Sequence, residues 1–139
     1  MATISRLYDT YEAAAEAMRN LDVIVSTPGL DAVYIGPADL AIGLTGDKYP
    51  PGFDREEPEL VEAIRTILSS AHRAGIRAAL HCGSASYAAK AIRWGFDLVT
   101  VSNDVRLLSA AAAASVRDFR SAIAETPTAA YAQQSGMGY

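Results

Sequence analysis

The chain has 139 residues, half of them hydrophobic, with a formal net charge of −4 and a single cysteine, Cys82. This composition suits one globular domain able to bury a real core, and mild acidity without a basic stripe argues against a nucleic-acid partner. No apolar run reaches membrane-spanning length and no signal-peptide layout opens the chain. One cysteine excludes an intramolecular disulfide framework and fits a reducing compartment, so a cytoplasmic location is expected.

Residues 1–8 are short and mixed, with Ile4, Leu7 and Tyr8 as the large apolar side chains. Asp9-Thr10-Tyr11-Glu12 then opens an alanine-rich helix running to about Asn20. Asp9 is placed to cap it while Glu12 reaches back, as in a capping box. Met18, Leu21 and Val25 fall on one face. Thr27-Pro28-Gly29 is a turn.

The stretch Ala32-Val33-Tyr34-Ile35-Gly36-Pro37-Ala38-Asp39-Leu40 reads as a short buried strand ending in a Gly-Pro turn. Val33, Tyr34 and Ile35 are strand formers on both faces, as in a parallel strand covered by helices. Gly36 permits unusual backbone angles, and Pro37 keeps Gly36 out of the α region. Asp39 therefore sits just beyond the strand's carboxyl end, where parallel α/β folds bind ligands. Its structural alternative is a helix N-cap ahead of Leu40-Ala41-Ile42. Gly43 to Gly52 is a loop dense in glycine and proline, either a plain connection or a cover over the strand ends.

Pro58 marks the first turn of a helix whose positive end is flanked by Glu56, Glu57 and Glu59. Leu60, Ile64, Ile67, Leu68 and Ala71 line one side and Gly75 closes it. A strand follows from Ile76 to His81. Ser84 caps a helix carrying Tyr87, Ala91 and Trp94 and stopping at Gly95, and Phe96 to Ser102 is a third strand. Asn103 or Asp104 caps an alanine-rich helix through about Ala124. The tail, 126–139, shows no periodicity and is expected to be disordered. Two successive helix-Gly-strand units, at Gly75 and Gly95, are the mark of a parallel βα array with right-handed crossovers. His81 and Cys82 share the rim with Asp39, but a zinc site or a nucleophile would need further ligands or a base at suitable spacing. A pocket-lining pair fits them better, with His81 able to meet a substrate carboxylate.

The segment "GLDAVYIGPADLAIGL" resembles the strand-six segment of the HpcH/HpaI aldolase/citrate lyase family. The similarity continues through "AHRAGIRAALHCGS" and "AIRWGFDLVTVSNDVRLL" and covers roughly residues 20–124. The resemblance implies an α/β fold: the C-terminal half of a (β/α)8 barrel, with about three to four parallel strands and flanking helices over 1–125. A complete barrel typically takes ~250 residues. The implied activity is that of a divalent-metal-dependent lyase, an aldolase acting on hydroxy-oxoacids through a pyruvate enolate. The "HCGS" strand end and the "GPADL" wording favour it over the coenzyme-A-ester lyases of the same superfamily.

The resemblance makes Asp39 a ligand of Mg2+, Mn2+ or Co2+. Gly36, Pro37, Ala38 and His81 would contact the substrate, with the Ala38 and Asp39 amides facing the pyruvate carboxylate. The family's other metal carboxylate lies in an Ile-Glu-Thr-x-Glu-Ala type of motif, which Tyr8-Asp9-Thr10-Tyr11-Glu12-Ala13 resembles, making Asp9 the second candidate ligand. Asp is shorter than Glu by a methylene, and the spacing onward is longer by about one helical turn. The family's first-half elements, an early His with its carboxylate partner and an Arg near strand three, have no counterpart in this sequence. The implied partner is therefore a second copy or a complementing N-terminal half-barrel chain. The alternative is a truncated, non-catalytic relative acting as a binding or oligomerisation module.

Overall fold

The computed structural model describes residues 14–125; Asp9 and the tail 126–139 lie outside the described residues. The chain divides into two compact units, 1–102 and 103–139. In the first, helix α1 (14–19) passes through a turn at Asn20 into α2 (Leu21–Val25). Strand β1 (Ala32–Ile35) leads into α3 (Pro37–Thr45) and a 3-10 turn (Gly46–Lys48). Then come α4 (Pro58–Arg73), β2 (Arg77–Leu80), α5 (Ala85–Trp94) and β3 (Leu98–Val99). The second unit contributes α6 (Asp104–Glu125).

The three strands form one parallel sheet in the order β1-β2-β3. Tyr34 pairs with Ala79, Ile35 with Leu80, Ala79 with Leu98 and Leu80 with Val99. Successive side chains alternate between faces. One face therefore carries Val33, Ile35, Ala78, Leu80, Cys82 and Val99, which pack with Ile64, Leu68 and Ala71 of α4 and Tyr87, Ala88 and Ala91 of α5. Ile64, Leu80 and Cys82 are fully buried there. Burying a side chain the size of Ile64 or Leu80 contributes ~1.5–3 kcal/mol each. The other face carries Tyr34, Ala79 and Leu98, and Tyr34 and Leu98 are exposed. Helices on one face and an open second face are the arrangement of a partial (β/α)8 barrel, whose inner wall is the uncovered side.

Pro58 occupies the first turn of α4, as expected, and Pro37 the first turn of α3. Ser84 caps α5, its hydroxyl accepting from the Tyr87 amide, and Gly95 closes the helix at φ 111°, a conformation costly for any residue with a Cβ. Asn103 Oδ1 accepts from the Arg106 amide at the start of α6. Along α6, Val105, Leu108, Val116, Phe119 and Ile123 recur at intervals of three and four with Ala112 among them, and these five larger side chains are exposed.

Three expectations are corrected. The loop expected from Gly43 starts later: Gly43, Leu44 and Thr45 continue α3, with the Thr45 hydroxyl donating back to the Ala41 carbonyl before Gly46 ends the helix at φ 60°. The third strand is Leu98–Val99 rather than 96–102. Its start is consumed by the helix closure, where the Phe96 amide donates to Ala91 O, and by Asp97, whose carboxylate accepts from the Ala78 amide. Asp39 does not cap a helix. Gly36 is the N-cap, and the first intrahelical bond runs from the Leu40 amide to Gly36 O, which puts Asp39 on the third helical residue.

Candidate functional site

The candidate site residues lie at the carboxyl ends of β1 and β2. Gly36 has φ −94° and ψ 99°, ordinary extended angles that Pro37 enforces. Its lack of a side chain matters for a different reason: a Cβ there would come within 3.0 Å of Asp39 Oδ2. The Asp39 carboxylate thus folds back over the strand end into space that a side chain at position 36 would narrow. Among the described residues it has no hydrogen bond and no ion pair. Pro37 has no N–H, and the Ala38 and Asp39 amides precede the first intrahelical bond, so two backbone donors open from the positive end of α3 beside this carboxylate.

At the end of β2, His81 Nδ1 lies 2.6 Å from the Tyr34 hydroxyl. His81 Nε2 is buried without a hydrogen-bond partner. The Phe53 ring packs on the imidazole with centroids 4.5 Å apart. Phe53 belongs to the connection between α3 and α4, which therefore covers the end of β2. Asp54 fixes that connection, accepting from the Gly83 amide at 2.7 Å and from the Ser84 hydroxyl at 2.6 Å. Next to it, Arg55 is buried, pairs with Glu57 at 2.7 Å and donates to Pro50 O at 2.8 Å. The Tyr87 hydroxyl donates to Arg55 O at 2.6 Å.

Cys82 points to the helix side of the sheet, fully buried. Burial, with the nearby Asp54 charge adding to it, pushes its thiol up to about 11. It is a packed core thiol, not a thiolate nucleophile. His72, the other histidine, pairs with Asp97 at 3.0 Å on the structural side of the fold.

The structure thus brings Gly36, Pro37, Ala38 and Asp39 together at one strand end and places His81 at the neighbouring one. No hydrogen bond joins His81 to Asp39. Sequence reasoning missed Tyr34, Phe53 and Asp54. Tyr34 could have been found from strand alternation, since it faces opposite to Val33 and Ile35. Phe53 and Asp54 sit in an irregular connection with no periodic signal.

A hard divalent ion fits Asp39 as far as that residue goes: its oxygens are the right donors, nothing competes for them, and Gly36 leaves them room. Among the described residues no group of three or more His, Cys, Asp or Glu side chains gathers to hold an ion. Ions of the magnesium type are commonly held by one or two carboxylates, with water and substrate oxygens completing the shell.

Comparison with known proteins gives a consistent result. The HpcH/HpaI aldolase/citrate lyase family model matches residues 12–111. A hydroxypyruvate/pyruvate aldolase of Rhizorhabdus wittichii is 44% identical over 105 residues, which is 76% of this chain and 41% of that protein. A 2-keto-3-deoxy-L-rhamnonate aldolase of Klebsiella pneumoniae is 34% identical over 95 residues, 68% of this chain and 34% of that protein. Among solved structures, an HpcH/HpaI aldolase/citrate lyase family protein from Burkholderia cenocepacia aligns with TM-score 0.65 at 30% identity, covering 74% of this chain and 38% of the other. The chain spans about 40% of the length of these relatives.

Proposed function

Because the chain belongs to the HpcH/HpaI aldolase/citrate lyase family, we propose that it forms part of a divalent-metal-dependent aldolase acting on hydroxy-oxoacids of the pyruvate type. The observation that carries this reading is the Asp39 carboxylate, unpartnered and folded over Gly36 at the carboxyl end of β1. Asp39 would hold Mg2+, Mn2+ or Co2+, with Asp9, outside the described residues, as the second carboxylate. The ion, when bound, supplies Lewis-acid polarisation of the substrate ketone.

This chain's own residues do the rest of what can be assigned. The Ala38 and Asp39 amides donate to the carboxylate of a pyruvate-type substrate, helped by the positive end of α3. Gly36 and Pro37 hold the backbone close enough for that contact without a side chain in the way. His81 closes the neighbouring strand end, backed by Phe53.

The open inner face with exposed Tyr34 and Leu98, and the apolar stripe of α6, support a site completed by a second copy or by a complementing N-terminal half-barrel. The same exposed surfaces favour the second reading, a non-catalytic oligomerisation module. Deuterium incorporation at the methyl group of pyruvate in D2O, followed by NMR with manganese present, separates the two. The lyase reading expects exchange at chain concentrations that support association, and its loss in Asp39→Ala. No exchange at any concentration, with or without an N-terminal half supplied, leaves the module.

A further inference from the structure

We infer that Tyr34 is a substrate-facing hydrogen-bond donor, and that His81 is the positioning residue that turns its hydroxyl proton outward. The inference rests on the aldolase reading for what the donor meets, but its structural half stands independently.

His81 has two ring nitrogens and only one partner. Nδ1 faces the Tyr34 hydroxyl at 2.6 Å, while Nε2 is buried without a hydrogen bond in an imidazole on which the Phe53 ring packs. In a neutral imidazole one nitrogen carries the proton and the other a lone pair. If the proton sat on Nε2, a buried N–H would go unmatched, the rarer and costlier kind of orphan. An imidazolium would leave both a charge and an N–H unmatched in the same pocket. The remaining form has the proton on Nδ1, donating to Tyr34 Oη, and a bare lone pair at the buried Nε2.

That tautomer decides what Tyr34 does. With Oη already accepting from His81, the phenolic proton is free. Tyr34 is 57% exposed and lies on the uncovered face of the sheet, the face that becomes the inner wall of a barrel. It is the last residue of that face before the Gly36-Pro37 turn and Asp39. A phenol donor held there suits an acceptor oxygen on the part of the substrate not bound at Asp39, the carbonyl oxygen of the aldehyde that joins or leaves the oxoacid.

Two measurements test this. The first is 15N NMR of the His81 ring at neutral pH in the metal-free chain. A protonated Nδ1 and a bare Nε2 are expected, and an Nε2-protonated ring overturns the inference. The second is glycolaldehyde titration of the same metal-free chain, read by saturation-transfer NMR on the glycolaldehyde protons. Tyr34→Phe, which keeps the ring, should weaken binding about fivefold or more. His81→Asn, which keeps an N–H donor near the Nδ1 position, should bind like the parent, whereas His81→Leu should follow Tyr34→Phe. Equal affinity in the parent and Tyr34→Phe, or no binding in either, overturns the inference. Manganese and oxalate titration reads the Asp39 site separately, so failure of the metal reading leaves a different signature: no oxalate binding with the His81 tautomer unchanged.

Discussion

Asp39 Oδ2 lies against the Cα of Gly36, within 3.0 Å of where a Cβ would be. The metal candidate and the glycine three residues before it are therefore one unit: the backbone angles at Gly36 are ordinary, and a methyl there would press on the carboxylate where it now rests. Alanine fits the Gly36 angles, so Gly36→Ala should fold normally. Its methyl should push the carboxylate out of place and weaken manganese binding by about tenfold, on the scale of a disturbed charged contact. Circular dichroism beside calorimetric titration checks both halves; unchanged affinity would show that the carboxylate shifts without consequence.

Asp54 ties the loop that carries Phe53 to the start of α5 through the Gly83 amide and the Ser84 hydroxyl. Asp54→Ala leaves the amide of the buried Gly83 without its acceptor. A loss of about 1–3 kcal/mol is expected in urea denaturation. Faster amide exchange across residues 49–57 should accompany it, since the two Asp54 bonds tie that irregular segment to the start of α5.

Asp97 joins the end of α4 to the start of β2. Its carboxylate accepts from the Ala78 amide at 2.9 Å, from His72 and from Arg77 at 2.7 Å. These contacts, the Ala78 amide first, hold it well below the usual carboxylate range. A carboxylate whose folded pKa is depressed adds stability above its unfolded pKa, about 4. That contribution is lost as pH falls through the folded value. Stability should therefore decline as pH drops below about 4, and Asp97→Asn should flatten that acid limb while lowering stability at neutral pH. Urea midpoints measured from pH 7 to pH 2 give the comparison.

Gly95 ends α5 at φ 111° and the Phe96 amide then turns back to Ala91 O. Gly95→Ala should cost about 1 kcal/mol or more in thermal or urea denaturation, because alanine is strained at that φ. A neutral result would mean that the turn relaxes to another conformation.

Cys82 should resist thiol reagents in the folded chain at pH 8, since burial pushes its thiol up to about 11 and its sulfur is sealed in the core. Rapid labelling is expected only once denaturant is added. Fast labelling of the folded protein would place Cys82 at an accessible rim instead.

Much of this was legible in the sequence because the decisive signals were local. Proline at the first turn of α4, Ser84 before α5, and glycine after α4 and α5 each fix a boundary through backbone chemistry that needs no partner. The site residues on β1 were legible because the Gly-Pro turn stops the strand at a defined point. The length of β3 was not legible: Phe96, Val99, Thr100 and Val101 are strand formers, but Asp97 spends its side chain on the Ala78 amide and the helix closure takes Phe96. Thr45, bonded back to Ala41, extended α3 through a glycine that reads as a loop. The Tyr34–His81 contact joins residues 47 positions apart, and only the β1–β2 register brings them together. Phe53 and Asp54 reach β2 through side-chain bonds from an irregular segment, which no periodicity announces.

The central claim is that Asp39 binds a metal that in turn presents an oxoacid. Calorimetric titration of manganese with oxalate into the purified chain, beside Asp39→Ala, tests it most directly, because oxalate mimics a planar enolate of pyruvate. Oxalate should bind the parent chain only when manganese is present, and Asp39→Ala should lose this binding. Metal-dependent oxalate binding that survives in Asp39→Ala, or no binding in the parent at any metal concentration, would contradict it.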